Sequence, residues 1–182
     1  MKKGILITQS IVLGIALLVA QPLVADRPIS ERGQDRIARE VRHELVMLPY
    51  YSVFDNLEYQ VAGDVVTLTG QVTLPTLKSD AERAVKDIEA VSKVINRIEV
   101  LPPSSMDDRI RLAVFRALYS GDSPLFRYGV GSQFPIHIVV KNGRVTLTGV
   151  VDNQSDKTFA TMRASRVSGI FSITNNLNVR QG

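Results

Sequence analysis

Val66-Thr67-Leu68-Thr69-Gly70-Gln71-Val72 returns 79 residues later as Val145-Thr146-Leu147-Thr148-Gly149-Val150-Val151. A repeat of this kind means that one folding unit has been used twice, and the rest of the chain has to be read against it. Downstream the register holds without a gap: Ala81 falls on Ala160, Ile88 on Val167, Val91 on Ile170, Asn96 on Asn175, Ile98 on Leu177 and Val100 on Val179. Upstream, Asp35-Arg36-Ile37 matches Asp108-Arg109-Ile110 at the shorter spacing of 73 residues, with Val41 on Val114 and Leu45 on Leu118. The second unit therefore carries six extra residues between its first helix and first strand, within Gly121 to Ser132.

Periodicity assigns the elements. Ile37, Val41 and Leu45, and again Ile110, Val114 and Leu118, have the four-residue spacing of an amphipathic helix. Leu57, Tyr59 and Val61 alternate, as do Ile136, Ile138 and Val140, which predicts a half-buried strand. Gly63-Asp64 and Asn142-Gly143 suit a tight hairpin turn. The quoted strand follows, with Gly70 and Gly149 at inward positions that lack a side chain. A second helix is expected over about 77–90 and 156–168, then a last strand over 94–101 and 173–180. The expected fold is α+β: two tandem αββαβ units, each a three-stranded sheet with both helices on one face. The units are placed at 32–101 and 106–181, joined by a stiff Pro102-Pro103 linker at 102–105. The open sheet faces, with Val65, Thr67, Thr69 and Gln71 pointing outward, are expected to meet water or a partner, and oligomers could form through them.

Before the repeats, Lys2-Lys3 precede an apolar run that ends near Gln21-Pro22 and a small residue at Ala25. This order reads as a secretory signal peptide over 1–25, with Ala20 as a second cleavage choice. The run is shorter than the roughly 20 apolar residues of a spanning helix. The 182 residues contain no cysteine and two histidines, which removes thiol nucleophiles, disulfides, zinc-thiolate sites and a lipoprotein anchor. The mature chain is expected in the periplasm, with no cofactor and no metal.

Helix, hairpin with a Val-x-Leu-x-Gly-x-Val strand, helix and strand, twice over, resembles the BON domain, named for osmotically induced and nodulation proteins of bacteria. The resemblance is carried by Val66, Leu68, Gly70 and Val72, the matching Val145, Leu147, Gly149 and Val151, the Gly169-Ile170 pair, and Asn96 and Asn175. Ala90 stands where the second unit has Gly169, a departure that alanine is expected to tolerate. The resemblance implies a non-enzymatic module associated with phospholipid surfaces and envelope integrity, or with periplasmic chaperone activity. The same element order also occurs in RNA-binding KH domains and in ring-building modules of secretion systems. A KH domain needs a Gly-x-x-Gly loop between helices to clamp a nucleic-acid backbone. None lies at that place, so nucleic acid is not an expected partner.

Charge separates the two like units. Residues 26–101 hold ten Lys+Arg and thirteen Asp+Glu, and residues 102–182 hold ten and five. The second unit is thus the basic one and the expected partner of an anionic surface. On its first helix, Ile110, Val114, Ala117 and Leu118 form the core stripe, while Leu112, Phe115 and Tyr119 project from nearly the opposite side, flanked by Arg109, Arg111 and Arg116. The first unit has Arg39, Arg42 and Val46 at those places. Phe126, Arg127 and Tyr128 of the insertion could extend the surface. In one reading, Leu112, Phe115 and Tyr119 enter a lipid headgroup layer while Arg109, Arg116 and Arg127 meet phosphates. In the other, the apolar residues pack against the first unit or the long loop; a separate alternative for the whole chain is a periplasmic holdase or scaffold that contacts envelope proteins.

Remaining polar residues have plainer readings. His137 is expected to be an exposed sheet residue. Asn96 and Asn175 are expected to bond a neighbouring loop, Asp107-Asp108 to cap a helix, and the Arg32, Arg36, Arg39, His43 stripe to pair with Glu40 and Glu44. No nucleophile has a base at a readable spacing, so an enzyme is not expected.

Overall fold

The computed structural model describes residues 30–131 and 134–180; the leader expected at 1–25 lies outside them. Helix α1 (Glu31–Val46) starts at Ser30, whose hydroxyl accepts the Gly33 amide at 3.3 Å, and buries Ile37, Val41 and Leu45. Strands β1 (Asn56–Ala62) and β2 (Val65–Val72) form an antiparallel hairpin, and helix α2 (Pro75–Lys86) follows. The expected last strand is split into β3 (Lys93–Asn96) and β4 (Glu99–Val100), both parallel to β2. Its second-unit counterpart is continuous. There, α3 (Ser105–Tyr119), β5 (Ile136–Lys141), β6 (Arg144–Val151), α4 (Gln154–Ala164) and β7 (Ser172–Val179) give sheet order β5-β6-β7. The helices α2 and α4 end at Lys86 and Ala164, earlier than the sequence suggests, because turns return the chain to the sheet. The fold is therefore two tandem αββαβ units of α+β type, each with its helices on one sheet face.

Burial follows the predicted phase. Val66, Leu68 and Val72 face Ile37, Val41, Leu77 and Ala81 in one core; Val145, Leu147 and Val151 face Ile110, Val114, Leu118 and Ala160 in the other. Each fully buried aliphatic side chain contributes about 1.5–3 kcal/mol. Asn96 and Asn175 repeat one bonding pattern, but to a helix rather than a loop. Nδ2 of Asn96 donates to the Lys78 carbonyl at 2.9 Å, and that of Asn175 to the Lys157 carbonyl at 2.8 Å. Each Oδ1 then accepts the amide two residues on, at 3.1 Å. These asparagines fasten the last strand to the second helix, which answers for a polar residue in an inward position.

Gly70 and Gly149 are more than places where a side chain is missing. Both have positive φ, +113° and +117°, and a Cβ on either would stand 2.0 Å from a backbone oxygen, of Asn56 and of Pro135. The hairpin can close at this point only on glycine. The reading of Ala90 also needs correction. Its φ is +70°, matching Gly169 at +86°, so alanine sits in a left-handed turn that costs an L-residue about 1–2 kcal/mol.

The two units meet through a segment of the first. Val53 is buried in the second unit's core, and its carbonyl accepts the Ile138 amide at 2.8 Å, beside the outer edge of β5. Asp55, fully buried, shapes this segment: its carboxylate accepts Ser52 N–H at 3.0 Å, Ser52 O–H at 2.6 Å, Thr73 N–H at 2.6 Å and Thr73 O–H at 2.8 Å. The open sheet faces consequently border a common cleft of about 720 Å³, lined by Glu58, Thr69 and Gln71 on one side and Val139, Lys141 and Thr148 on the other. Lys141 pairs with Glu99 across it. Thr67, Thr69 and Gln71 are half-buried, and Val139 and Thr148 are buried despite pointing away from the core.

Three substitutions test this geometry by urea denaturation. Gly149→Ala should cost about 3 kcal/mol or more through clash and strain, whereas Gly121→Ala, with open space around it, should change stability by less than about 0.5 kcal/mol. Ala90→Gly should stabilise by about 0.5–1 kcal/mol, the relieved strain exceeding the added freedom of the unfolded chain.

Candidate functional site

Helix α3 is held at its start from both directions. Ser104 Oγ accepts the Asp107 amide at 3.2 Å, and the buried Asp107 carboxylate accepts the Asn142 and Gly143 amides of the β5–β6 turn, each at 2.8 Å. That turn has φ of +52° and +72° at its two central residues, the conformation Asn-Gly favours in two-residue hairpins. The carboxylate thus caps the hairpin rather than its own helix. Arg111, expected on the flank of an outer face, points inward. It is 5% exposed, donates to the Val140 carbonyl at 2.7 Å and pairs with Asp108.

The second apolar face of α3 divides in two. Tyr119 is buried, its hydroxyl donating to the Ile136 carbonyl at 2.9 Å, and burial pushes its pKa up. Phe115 is half-buried between Phe54, Tyr119 and Phe134, with ring centroids 6.1, 5.1 and 5.8 Å away. For these two residues the outward projection expected from the helix wheel is corrected. Phe54 of the first unit and Phe134 of the long loop cover them, which is the packing alternative. Leu112 remains exposed at 46%, between exposed Arg109 and Arg116 on the same helix side.

The insertion is ordered by one tyrosine. Leu125 is buried, and a short 3-10 turn at Phe126–Gly129 brings Tyr128 over the start of α4. Its hydroxyl donates to Asp156 at 2.7 Å and accepts the Asp152 amide at 2.8 Å. Desolvation, the largest cause, raises its pKa to about 12. Asp152 matches Thr73, so in the two units the same backbone amide is held by Tyr128 and by Asp55. Arg127 pairs with Asp156 and Asp152 and stacks on the Tyr128 ring at 4.6 Å. It is therefore a cation with two carboxylate partners. Phe126 is exposed.

Sequence reasoning missed Phe159 and Met162, which protrude from α4 at 37% and 39% exposure. They match Asp80 and Arg83 of the first unit, just as Leu112 matches Arg39. The repeat register could have found them, because each is an apolar residue where the sister helix is charged. Arg166 is exposed one turn beyond Met162, while Arg163 is tied to Asp122 at 3.1 Å. The outer helix layer of the second unit thus presents Leu112, Phe126, Phe159 and Met162 among Arg109, Arg116 and Arg166.

His137 is also corrected. It faces the cleft side of β5, but Tyr51 covers it at a centroid distance of 5.5 Å, and desolvation is the main reason its pKa is lowered. Among the described residues, no three His, Asp or Glu side chains gather as a metal site, and no helix is long and apolar enough to cross a membrane.

Comparison with known proteins agrees with the repeat. The BON domain matches twice, at residues 34–102 and 107–181. A search of curated proteins finds no match. Among solved structures, the C-terminal domain of CdsD, a structural protein of the type III secretion system of Chlamydia trachomatis, is 12% identical. The alignment covers 79% of this chain and 96% of that one, at a TM-score of 0.31. A second structure of CdsD is also 12% identical over 81% of this chain and 93% of that one, at a TM-score of 0.29. The matches at 34–102 and 107–181 together span most of the sequence, and the chain belongs to the BON-domain family, with two such domains in tandem.

Proposed function

We propose that this protein is an exported, non-enzymatic module that binds anionic phospholipid surfaces and supports the cell envelope, with the helix layer of its second BON domain as the contact face. BON-domain proteins are typically periplasmic or envelope-associated, and the leader expected at 1–25 fits that compartment. One observation carries the reading. Leu112, Phe159 and Met162 are exposed where the first domain has Arg39, Asp80 and Arg83, and Phe126 adds to them from an insertion the first domain lacks. Exposed apolar side chains on a basic domain suit the boundary between headgroups and acyl chains, where each arginine near an anionic membrane contributes roughly 1 kcal/mol.

Of the seven residues singled out from sequence, Arg109, Leu112, Arg116 and Phe126 make the contact in this reading. Phe115 and Tyr119 stiffen α3 from beneath, and Arg127 holds the insertion against α4. A substitution at Phe115 would therefore disturb packing as well as the surface, and Leu112 and Phe126 are the better probes.

Co-sedimentation with vesicles of phosphatidylglycerol and phosphatidylethanolamine should exceed that with phosphatidylcholine alone and should fall as salt is raised. Leu112→Asp with Phe126→Asp should lower binding at least tenfold, while Arg39→Glu in the first domain should leave it unchanged. Vesicle binding that is indifferent to lipid charge, or unaltered by the double substitution, would contradict the proposal. Suppression of client aggregation without lipid, together with no vesicle binding, would favour contact with envelope proteins instead.

A further inference from the structure

The junction between the domains contains a titratable group in an arrangement that a plain packing contact does not need. His137 lies on the cleft side of β5 with Tyr51 against its ring. One residue along, the Ile138 amide is bonded to the Val53 carbonyl. Nδ1 of His137 is buried without a hydrogen-bond partner, and Thr148, directly across on β6, likewise has a buried hydroxyl oxygen without one. A neutral imidazole can leave Nδ1 as a bare lone pair at modest cost. A protonated imidazole would have the Ser52 and Asp55 carbonyls within reach, but its charge would be held away from water under Tyr51, and that burial outweighs their pull.

We propose that His137 is an acid-sensitive latch: its protonation releases the Tyr51–Asp55 segment from the second domain and lets the two domains separate. The charged and titratable groups around it have defined roles. Asp55 is the nearest acid, but its carboxylate already accepts four bonds from Ser52 and Thr73. The Tyr51 hydroxyl is pushed up to about 12, chiefly by burial, so it stays neutral throughout the relevant range. Glu58, beyond Tyr51, accepts the Asn56 carboxamide, and Lys141 at the far end of β5 is paired with Glu99. From β6 the facing residue is the uncharged Thr148. The pull of the Asp55 and Ser52 backbone groups and of the Asp55 carboxylate on a proton is outweighed by desolvation, so the docked state prefers neutral His137.

The sign follows from that preference. A histidine whose pKa is depressed on docking supports the docked state fully above its free value of about 6.5, and the support is lost as pH falls below that value. The docking equilibrium should weaken by up to tenfold per pH unit until the depressed value is reached. Opening would uncover Val53 and Phe54 together with the Phe115, Tyr119 and Phe134 cluster they pack on. This window lies above the carboxylate range, which separates it from ordinary acid denaturation.

Because the chain has no cysteine, a donor and an acceptor dye can be placed at Lys86→Cys and Ser165→Cys in the full-length protein. Energy transfer should fall between about pH 6.5 and 5, binding of a hydrophobic dye should rise with it, and far-UV circular dichroism should stay constant. His137→Gln should remove the transition, and His43→Gln should leave it in place. If His137→Gln does not dock at pH 7.5, the wild-type imidazole titration by NMR decides instead, and its midpoint should fall below 6.5 and coincide with opening. Constant energy transfer down to pH 4.5, an unchanged midpoint in His137→Gln, or loss of circular dichroism in step with opening would each overturn the proposal.

Discussion

Val53 belongs to the first domain by chain position and to the second by packing. Its side chain lies in the second core, and its carbonyl completes the hydrogen bonding of Ile138. This contact determines what each sheet and helix can do. It turns the open sheet faces toward a common cleft, which half-buries residues that alternation alone would place in water. The helix layers, on the opposite faces of both sheets, are left to meet anything else. Asp55 makes the contact possible by folding residues 52–55 into a turn and fastening it to Thr73 at the end of β2.

Two copies of one fold need not share a task, and here the differences are concentrated on the outside. The helix stripes and the β2 and β6 core positions correspond, with Val53, Tyr119, Leu125 and Tyr128 added to the second core, and the paired asparagines and paired glycines do the same work in each. The outer helix faces have diverged. Where the first domain shows arginine and aspartate, the second shows leucine, phenylalanine and methionine within a basic frame. The insertion adds an exposed phenylalanine while Tyr128 and Arg127 lock it to the start of α4. A rigid apolar projection on a basic surface loses little conformational entropy on contact, which favours association.

Much of the fold was legible in the sequence because it is periodic. The repeat, the helix stripes, the alternating strands and the turn glycines all follow from local spacing. What was not legible arises from contacts between distant segments. Phe115 and Tyr119 lie opposite the core stripe on a helix wheel, but a wheel has no knowledge of Phe54 or Phe134. Arg111 reaches the Val140 carbonyl, and His137 lies under Tyr51, for reasons set by the junction and not by their own elements. Ala90 was misread differently: its strain is visible only in a backbone angle, although Gly169 at the matching position hinted at it. Phe159 and Met162 could have been found by comparing the outer positions of the two copies as closely as the inner ones.

The account stands or falls on whether the second domain's helix layer, and not the first's, meets the bilayer. With no native cysteine to remove, an environment-sensitive fluorophore can be placed singly at Leu112→Cys, Met162→Cys, Arg39→Cys and Asp80→Cys, and its emission followed as anionic vesicles are added. The account predicts a blue shift and quenching by lipid-embedded quenchers at positions 112 and 162, with no change at 39 and 80. Equal responses from both domains, or a response confined to the first, would contradict it.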